Sequence, residues 1–186
     1  EQFMKTGANQ RTDDYGGNLK NRTRLLLEVV RAVTEEIGAG RTGLRISPVT
    51  PANDIADDHP RKLFDYLMHQ LGPMGLAYVH VIEGATGGAR ELPEQPFDYA
   101  HLKALYRAAG GQGAWMVNNG YDKALAEQAV ADVAQGADIV AFGRPYIANP
   151  DLVERLRQSA PLNTPERATF YGGGAEGYTD YPALDA

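Results

Sequence analysis

The sequence predicts an α/β protein of about four strand–helix units, the C-terminal half of a (β/α)8 TIM barrel. Apolar runs typical of buried strands alternate with helical patterns along the chain. Two of these runs end in small polar turns, Asn118-Asn119-Gly120 and Gly143-Arg144, of the kind that binds phosphate after the last two strands of such a barrel. Because a whole barrel needs eight strands and about 250 residues, residues 1–186 are predicted to form a single partial domain, with the N-terminal half of the barrel outside this chain.

The individual elements are predicted from the hydrophobic period and from turn residues. Strands are predicted at 43–47, 77–83, 115–117 and 139–142. Helices are predicted at about 18–37, 60–71, 97–109 and 122–134, followed by a last helix that Asn149 caps and Pro150 begins. Gly38 is suited to end the first helix, and Pro48 is suited to stop the first strand.

Two of the predicted helices have apolar faces that should pack on the sheet. The 3.6-residue period assigns these faces, Leu26, Val29, Val30, Val33 and Ile37 in the first helix and Leu125, Ala129, Val130 and Val133 in the fourth. An open, doubly wound sheet is the alternative to half a barrel. Its first strand-to-helix turn would carry the glycine fingerprint of a dinucleotide site, which this sequence lacks there.

Composition narrows the range of functions. The chain is 43% hydrophobic and 23% charged, with a formal net charge of -6 and no cysteine. The acidic balance argues against nucleic acid or an anionic membrane as a partner. Without thiols or a long apolar run, neither a disulfide framework nor a membrane span is expected. No metal site is predicted, and the cytoplasm is the expected location.

Several segments resemble the Old Yellow Enzyme family of FMN-dependent ene-reductases, in the order and spacing of that family. The similar segments are 10–18 (Gln-Arg-Thr-Asp-Asp-Tyr-Gly-Gly-Asn) with Asn21-Arg22, and 43–48, 142–152 and 171–182. The similarity covers essentially the whole chain and is greatest to the bacterial branch that includes N-ethylmaleimide and nitrate-ester reductases. Asn21 and Arg22 are expected to serve the fold rather than the chemistry.

The resemblance implies a set of cofactor and substrate contacts. FMN is the implied cofactor, and NADPH or NADH is the implied reductant. Arg45 would stabilise the negative charge of reduced flavin near N1 and the C2 carbonyl, with a salt bridge across the barrel mouth as the alternative role. The phosphate would be bound by the turn residues Asn118, Asn119 and Gly120 together with Gly143 and Arg144; turn formation alone is the alternative for the asparagines. Tyr171 would line the substrate pocket, with packing on the barrel top as its alternative.

The same resemblance implies that the chemistry is incomplete in this chain. In the family, the proton-donating tyrosine and the His/Asn pair that anchors the substrate carbonyl precede the segment matching Glu1-Gln2-Phe3, so no catalytic residue is assigned here. The predicted function is the FMN-binding half of an NAD(P)H-dependent ene-reductase that reduces activated alkenes such as enones, maleimides and nitro compounds. The partner would be a complementary N-terminal half-barrel polypeptide, or a second copy by self-association, and the isolated chain should be inactive.

Two other functions stay open at this stage. One is a non-catalytic flavin-binding or structural half-barrel subunit. The other is a barrel enzyme acting on a sugar phosphate, such as an aldolase or isomerase, which is disfavoured because no Schiff-base lysine is predicted at a strand end.

Several polar residues outside these segments could be mistaken for ligand-binding groups. Asp57 and Asp58 are expected to cap the following helix rather than bind metal. Strand alternation puts His80 and Glu83 on opposite faces, so at most one can point along the barrel interior. The loop at 84–96 is expected to shape substrate preference, and Tyr178 and Tyr181 are expected to pack.

Overall fold

The computed structural model describes residues 1–184 and contains two compact units, the first spanning Glu1–Ala141 and the second beginning at Phe142. The first unit contains helices α1 (Leu19–Ile37), α2 (Pro60–Leu71), α3 (Tyr99–Ala108) and α4 (Lys123–Ala131) and strands β1 (Gly43–Ile46), β2 (Tyr78–Ile82), β3 (Ala114–Asn118) and β4 (Ile139–Ala141). The second contains helices α5 (Arg144–Ala148) and α6 (Leu152–Gln158). The strand–helix alternation predicted from the sequence is confirmed.

The strands form one parallel sheet in the order β1-β2-β3-β4. One face of this sheet is the core of the first unit. The side chains of Ile46, Val79, Val81, Trp115 and Val117 are all less than 4% exposed and pack with residues of α1, α2 and α3. Burial of this face against helices supplies the main hydrophobic stabilisation of the unit.

The opposite face of the sheet is open within the first unit. Register places Arg45 beside His80 and His80 beside Met116 on this face, and Arg45 is exposed. Parallel sheets normally have both faces covered, so an uncovered polar and apolar face is what the inward side of half a barrel would present. At its N-terminal end the ring of Tyr78 lies over Gly43, where an added Cβ would come 2.2 Å from Cζ of the ring.

Helix α1 uses a different buried face from the predicted one. Its buried residues are Arg22, Thr23, Leu27 and Val30, with Leu26 partly buried against the core. By contrast, Val29, Val33 and Ile37 are 52%, 37% and 48% exposed, so the predicted inward stripe is wrong for these three residues. The helix is apolar over a broad arc, and the polar contacts of Arg22 determine which side turns inward.

Those contacts fix Arg22 to two other parts of the chain. Its guanidinium donates to the carbonyls of Gly17 (3.0 Å) and Met4 and pairs with Asp57 at 2.7 Å, and both side chains of the pair are buried. Asp57 also accepts the N–H groups of Thr6 and His59. The N-cap residue of α2 is His59, and it makes no side-chain capping bond. The expectation that Asp57 and Asp58 cap this helix is therefore wrong, and the Asp57 carboxylate instead neutralises a buried arginine.

Helix α4 ends earlier than predicted. Asp132 stops it by accepting the N–H groups of Ala134 and Gln135, and Lys103 Nζ donates to the carbonyls of Val133 and Gly136 at 3.0 Å each. These bonds divert the chain from the helix, so Val133 is 79% exposed and lies outside it. Val130 is also 45% exposed, and the predicted inward position of both valines is therefore wrong.

The region after β4 contains two helices where one was predicted. Helix α5 follows Gly143 directly, and α6 starts only at Leu152. Asn149 does not cap a helix with its side chain, because Nδ2 donates to the Pro145 carbonyl at 2.7 Å and Oδ1 accepts the Asn163 N–H at 2.7 Å. The buried Asn149 instead ties the end of α5 to a later segment of the second unit.

Candidate functional site

Arg45 is the basic group on the open face of the sheet. It lies in the next-to-last position of β1 and is exposed. None of the ion pairs among the described side chains, those of residues 1–184 apart from residue 54, includes it, so the salt bridge considered as its alternative role is not formed among them. A guanidinium held on a half-covered sheet face without a carboxylate is well suited to bind an anionic or carbonyl-bearing ligand.

His80 lies next to Arg45 and is bonded to the end of β3. Its Nε2 is 3.0 Å from Oδ1 of Asn118, which requires Nε2 to carry the donated proton. The His80 pKa is lowered from its ordinary value of 6.5, mainly by burial and further by the Arg45 charge, while the Asn118 bond opposes the shift. His80 therefore presents a neutral ring to this face near neutral pH.

This shift predicts a pH effect on folding. Because the folded-state pKa lies below the unfolded value near 6.5, the unfolded chain binds more protons and stability falls as pH drops through that value. Replacing His80 with glutamine should remove this part of the pH dependence. Urea unfolding between pH 7.5 and 5 would measure it, with the exposed His59 replaced by glutamine as the control. Identical pH profiles for the wild type and H80Q would contradict the shift.

In the Asn118-Asn119-Gly120 turn, the backbone and the Asn119 side chain make different contacts. Asn119 and Gly120 have φ of 104° and 70°, in the left-handed region that glycine and asparagine tolerate best. Outside the helices and the sheet ladder, the backbone N–H groups of Asn119 and Gly120 donate to no acceptor in the described part of the chain. The predicted role of these N–H groups in binding an anion stays a prediction. The buried Asn119 side chain donates to the carbonyls of Glu83 and Ala85 at 2.7 and 2.9 Å.

The helix after this turn contributes less than expected to an anion site. Asp122 is the N-cap of α4, and its carboxylate accepts the N–H of Leu125 at 2.8 Å. The first turn is thus capped internally by a negative charge. Any phosphate at this end of β3 would be bound by the N–H groups of the turn rather than by the helix end.

The second unit contains the other predicted site residues. Gly143 precedes α5 with φ −102°, and a Cβ added there would meet nothing within 4 Å. Arg144 is exposed and takes no part in an ion pair within the described chain. Tyr171 is 93% exposed, with its ring 6.4 Å from that of Phe170. Tyr178 is 78% exposed, so its predicted packing role is wrong, whereas Tyr181 accepts the Glu166 N–H at 2.8 Å through its hydroxyl.

A polar cluster that sequence reasoning did not identify lies where β2 and β3 end. The buried Glu83 carboxylate accepts the Tyr121 hydroxyl at 2.7 Å and lies 3.4 Å from the Arg90 guanidinium. Burial and the Glu83 charge raise the pKa of Tyr121. His80 therefore lies on the open face of the sheet, whereas Glu83 lies under the loop that follows it. The sequence feature that could have predicted this cluster is the carboxylate of Glu83 directly after a buried strand.

The loop after Glu83 lines an open pocket of about 380 Å³. Its lining is mainly hydrocarbon, from Leu92, Pro93, Pro96 and Phe97, with Arg90 and the Tyr99 hydroxyl among the polar groups. Tyr99 accepts the Gly84 N–H at 2.7 Å, and burial raises its pKa to about 12. Tyr99 therefore keeps a proton that it can donate.

Lys5 reaches a strand end although it lies far from any strand in sequence. Its fully buried ammonium donates to the Ser47 carbonyl at 2.7 Å and pairs with Glu1 at 2.9 Å. The sequence alone did not indicate that Lys5 would lie at a strand end. An ammonium with both partners and no exposure stabilises the end of β1 and is not a free amine nucleophile.

Two searches of the described part of the chain returned nothing. Among its described side chains there is no group of three or more His, Asp or Glu placed to hold a metal ion. None of the helices described is long and apolar enough to cross a bilayer.

Comparison with known proteins agrees with this architecture. Residues 1–163 match the model of the NADH:flavin oxidoreductase / NADH oxidase family. The chain is 43% identical over its whole length to putative 12-oxophytodienoate reductase 12 of Oryza sativa subsp. japonica, and 44% identical to putative reductase 10 of the same species. It covers 46% and 58% of those two proteins.

Solved structures of similar proteins match this chain over about half of their own length. Morphinone reductase is similar with a TM-score of 0.86 at 43% identity, over 99% of this chain and 47% of that protein. The old yellow enzyme homologue of Zymomonas mobilis gives a TM-score of 0.88 at 33% identity, over 98% of this chain and 50% of that one. The chain thus spans about half the length of these relatives, and the predicted half of a TIM barrel is confirmed. The predicted resemblance to Old Yellow Enzymes is also confirmed, and the chain belongs to the NADH:flavin oxidoreductase / NADH oxidase family.

Proposed function

We propose that this chain is the FMN-binding half of an NAD(P)H-dependent ene-reductase that acts on activated alkenes. The observation that carries the proposal is the unpaired Arg45 guanidinium on the open face of a family-typical parallel sheet. The N–H groups of Asn119 and Gly120 in the first unit, which donate to no acceptor outside the sheet ladder in the described chain, support it. Gly143 and Arg144, which are open and exposed in the second unit, support it as well.

These residues fit the parts of FMN. Arg45 would neutralise negative charge on the pyrimidine edge of the ring, since a guanidinium keeps its proton at any physiological pH. In the first unit, the N–H groups of the turn would bind the phosphate. In the second unit, Arg144 offers a guanidinium fork suited to a phosphate. When bound, FMN supplies hydride transfer between a nicotinamide and the alkene.

His80 and Tyr171 would act around this cofactor without chemical steps of their own. His80 is neutral and bonded to Asn118, so it adds no second positive charge beside Arg45. Tyr171, almost fully exposed, is available to line a substrate pocket. The proton donor and the carbonyl-anchoring pair are assigned to the complementary half-barrel, which leaves this chain with binding and orientation.

The test separates cofactor binding from turnover. Titration of the purified chain with FMN in a calorimeter should show one site per chain. NADPH oxidation that depends on cyclohexenone should appear only when a separately produced N-terminal half of a relative is added. Turnover by the isolated chain would contradict the assignment of the proton donor to the other half. If the chain bound a sugar phosphate but no FMN, with or without that half, the flavin assignment would be wrong.

A further inference from the structure

The Asn118-Asn119-Gly120 turn and the loop at 84–90 are joined by one side chain. Nδ2 of Asn119 donates to the carbonyls of Glu83 and Ala85 and lies 3.5 Å from that of Ala89. Asn119 is only 7% exposed, so these bonds are shielded from water. A buried amide that gathers carbonyls from both ends of a loop holds that loop in one conformation.

The loop is compact in its own right and is tied at other points. The Ala85 N–H donates to the Ala89 carbonyl at 2.8 Å, and the Gly88 N–H donates to the Ala85 carbonyl at 2.9 Å. On the far side from the turn, the Thr86 N–H donates to the Thr50 hydroxyl at 2.8 Å. Gly84 is needed because a Cβ there would come 2.2 Å from the Arg90 carbonyl oxygen.

Glu83 adds a second connection between the same two segments. Its carboxylate bonds Tyr121, which directly follows the turn, and lies near Arg90 at the end of the loop. The Arg90 guanidinium stacks over the Tyr121 ring at 5.4 Å. The turn and the loop are therefore joined by hydrogen bonds on one side and by a charged and aromatic stack on the other.

We propose that Asn119 is a positioning residue that couples FMN binding to the order of loop 84–90. This rests on the proposed function. The main-chain N–H of Asn119 would bind the anion while its side chain holds the loop, so an anion that fixes the turn would also fix the loop. The loop continues into the wall of the pocket lined by Arg90, Leu92 and Tyr99, and the pocket is thereby preformed when the cofactor is present. By reciprocity, the factor by which FMN lowers the opening constant of the loop equals the factor by which FMN binds the closed-loop state more tightly than the open-loop state.

The main test uses N119G, because glycine accepts the φ of 104° without strain and removes only the carboxamide. Without ligand, amide exchange at Ala85 and Gly88 should accelerate about tenfold, the effect of losing a net stabilisation near 1.4 kcal/mol. FMN should protect these amides in the wild type and protect them much less in N119G, and its dissociation constant should rise in the variant. The matched control is N53G, an exposed asparagine with φ of 58°, which should leave both readouts unchanged.

A second variant tests the coupling from the other end. T50V removes the acceptor of the Thr86 N–H and leaves the turn untouched, yet it should also speed loop exchange and weaken FMN binding. Unchanged exchange at Ala85 and Gly88 in N119G would overturn the positioning role. Exchange at Ala85 and Gly88 that saturating FMN does not slow in the wild type would overturn the coupling. If the wild type bound no FMN, the proposed function would fail, while the ligand-free exchange would still test the role of Asn119.

Discussion

Replacing Asp57 with alanine is expected to lower the free energy of unfolding by about 3–5 kcal/mol, because it leaves a buried Arg22 charge without its carboxylate. Asp57 is 8% exposed and Arg22 is 6% exposed. The variant also removes the acceptor of the Thr6 and His59 N–H groups. Urea denaturation followed by far-ultraviolet circular dichroism would measure the loss.

The adjacent Asp58 provides a matched control. It is exposed, so D58A should change stability by less than about 0.5 kcal/mol. The double variant R22M/D57L should be more stable than D57A, since it removes the stranded charge together with its partner. A D57A variant as stable as D58A would show that the buried pair does not hold α1 in place.

Replacing Arg45 with glutamine is expected to weaken FMN binding about 10- to 100-fold, the range for losing hydrogen bonds to a charged group. The loss should be larger for reduced than for oxidised flavin, because the ring gains negative charge on reduction. The midpoint potential of bound flavin should therefore become more negative by roughly 30 mV for each tenfold difference between the two affinities. Calorimetry and anaerobic dye-coupled titration would measure the two effects.

Arg41 is the control for this substitution. It is an exposed arginine in the turn just before the opposite end of β1, so R41Q should leave both affinity and potential unchanged. R45K should restore part of the potential but less of the affinity, since an ammonium keeps the charge and loses the planar fork. Equal effects of R41Q and R45Q would mean that only general surface charge matters.

The parts of the fold that could be predicted are those whose sequence signals are local. The strands were predictable within a residue or two because short apolar runs bounded by glycine, proline and polar turns have few alternatives. The rotation of α1 was not, because its apolar residues cover a broad arc and the choice is made by Arg22, whose partner Asp57 lies 35 residues away. The early end of α4 likewise depends on Lys103, a side chain from another helix.

The candidate site was predictable to a similar degree. The Asn118-Asn119-Gly120 turn could be proposed because a strand that ends in a small polar turn is a local pattern, whereas Arg45 was proposed from the family resemblance. The hydrogen bonds of the Asn119 side chain could not be predicted, because their acceptors lie more than 30 residues earlier in a loop without regular structure. Lys5 reached the end of β1 by the same kind of long-range contact.

The burial of Trp115 has a practical consequence for every experiment above. It is the only tryptophan in the chain, and it is 1% exposed with its ring 6.0 Å from that of Tyr106. Its emission is therefore a single-site optical signal from the helix-covered side of the sheet, and a red shift would report water entering that interior. Substitutions at Arg45 or Asn119 that leave this spectrum unaltered can be judged on ligand affinity alone, since the interior would be shown intact by the same sample.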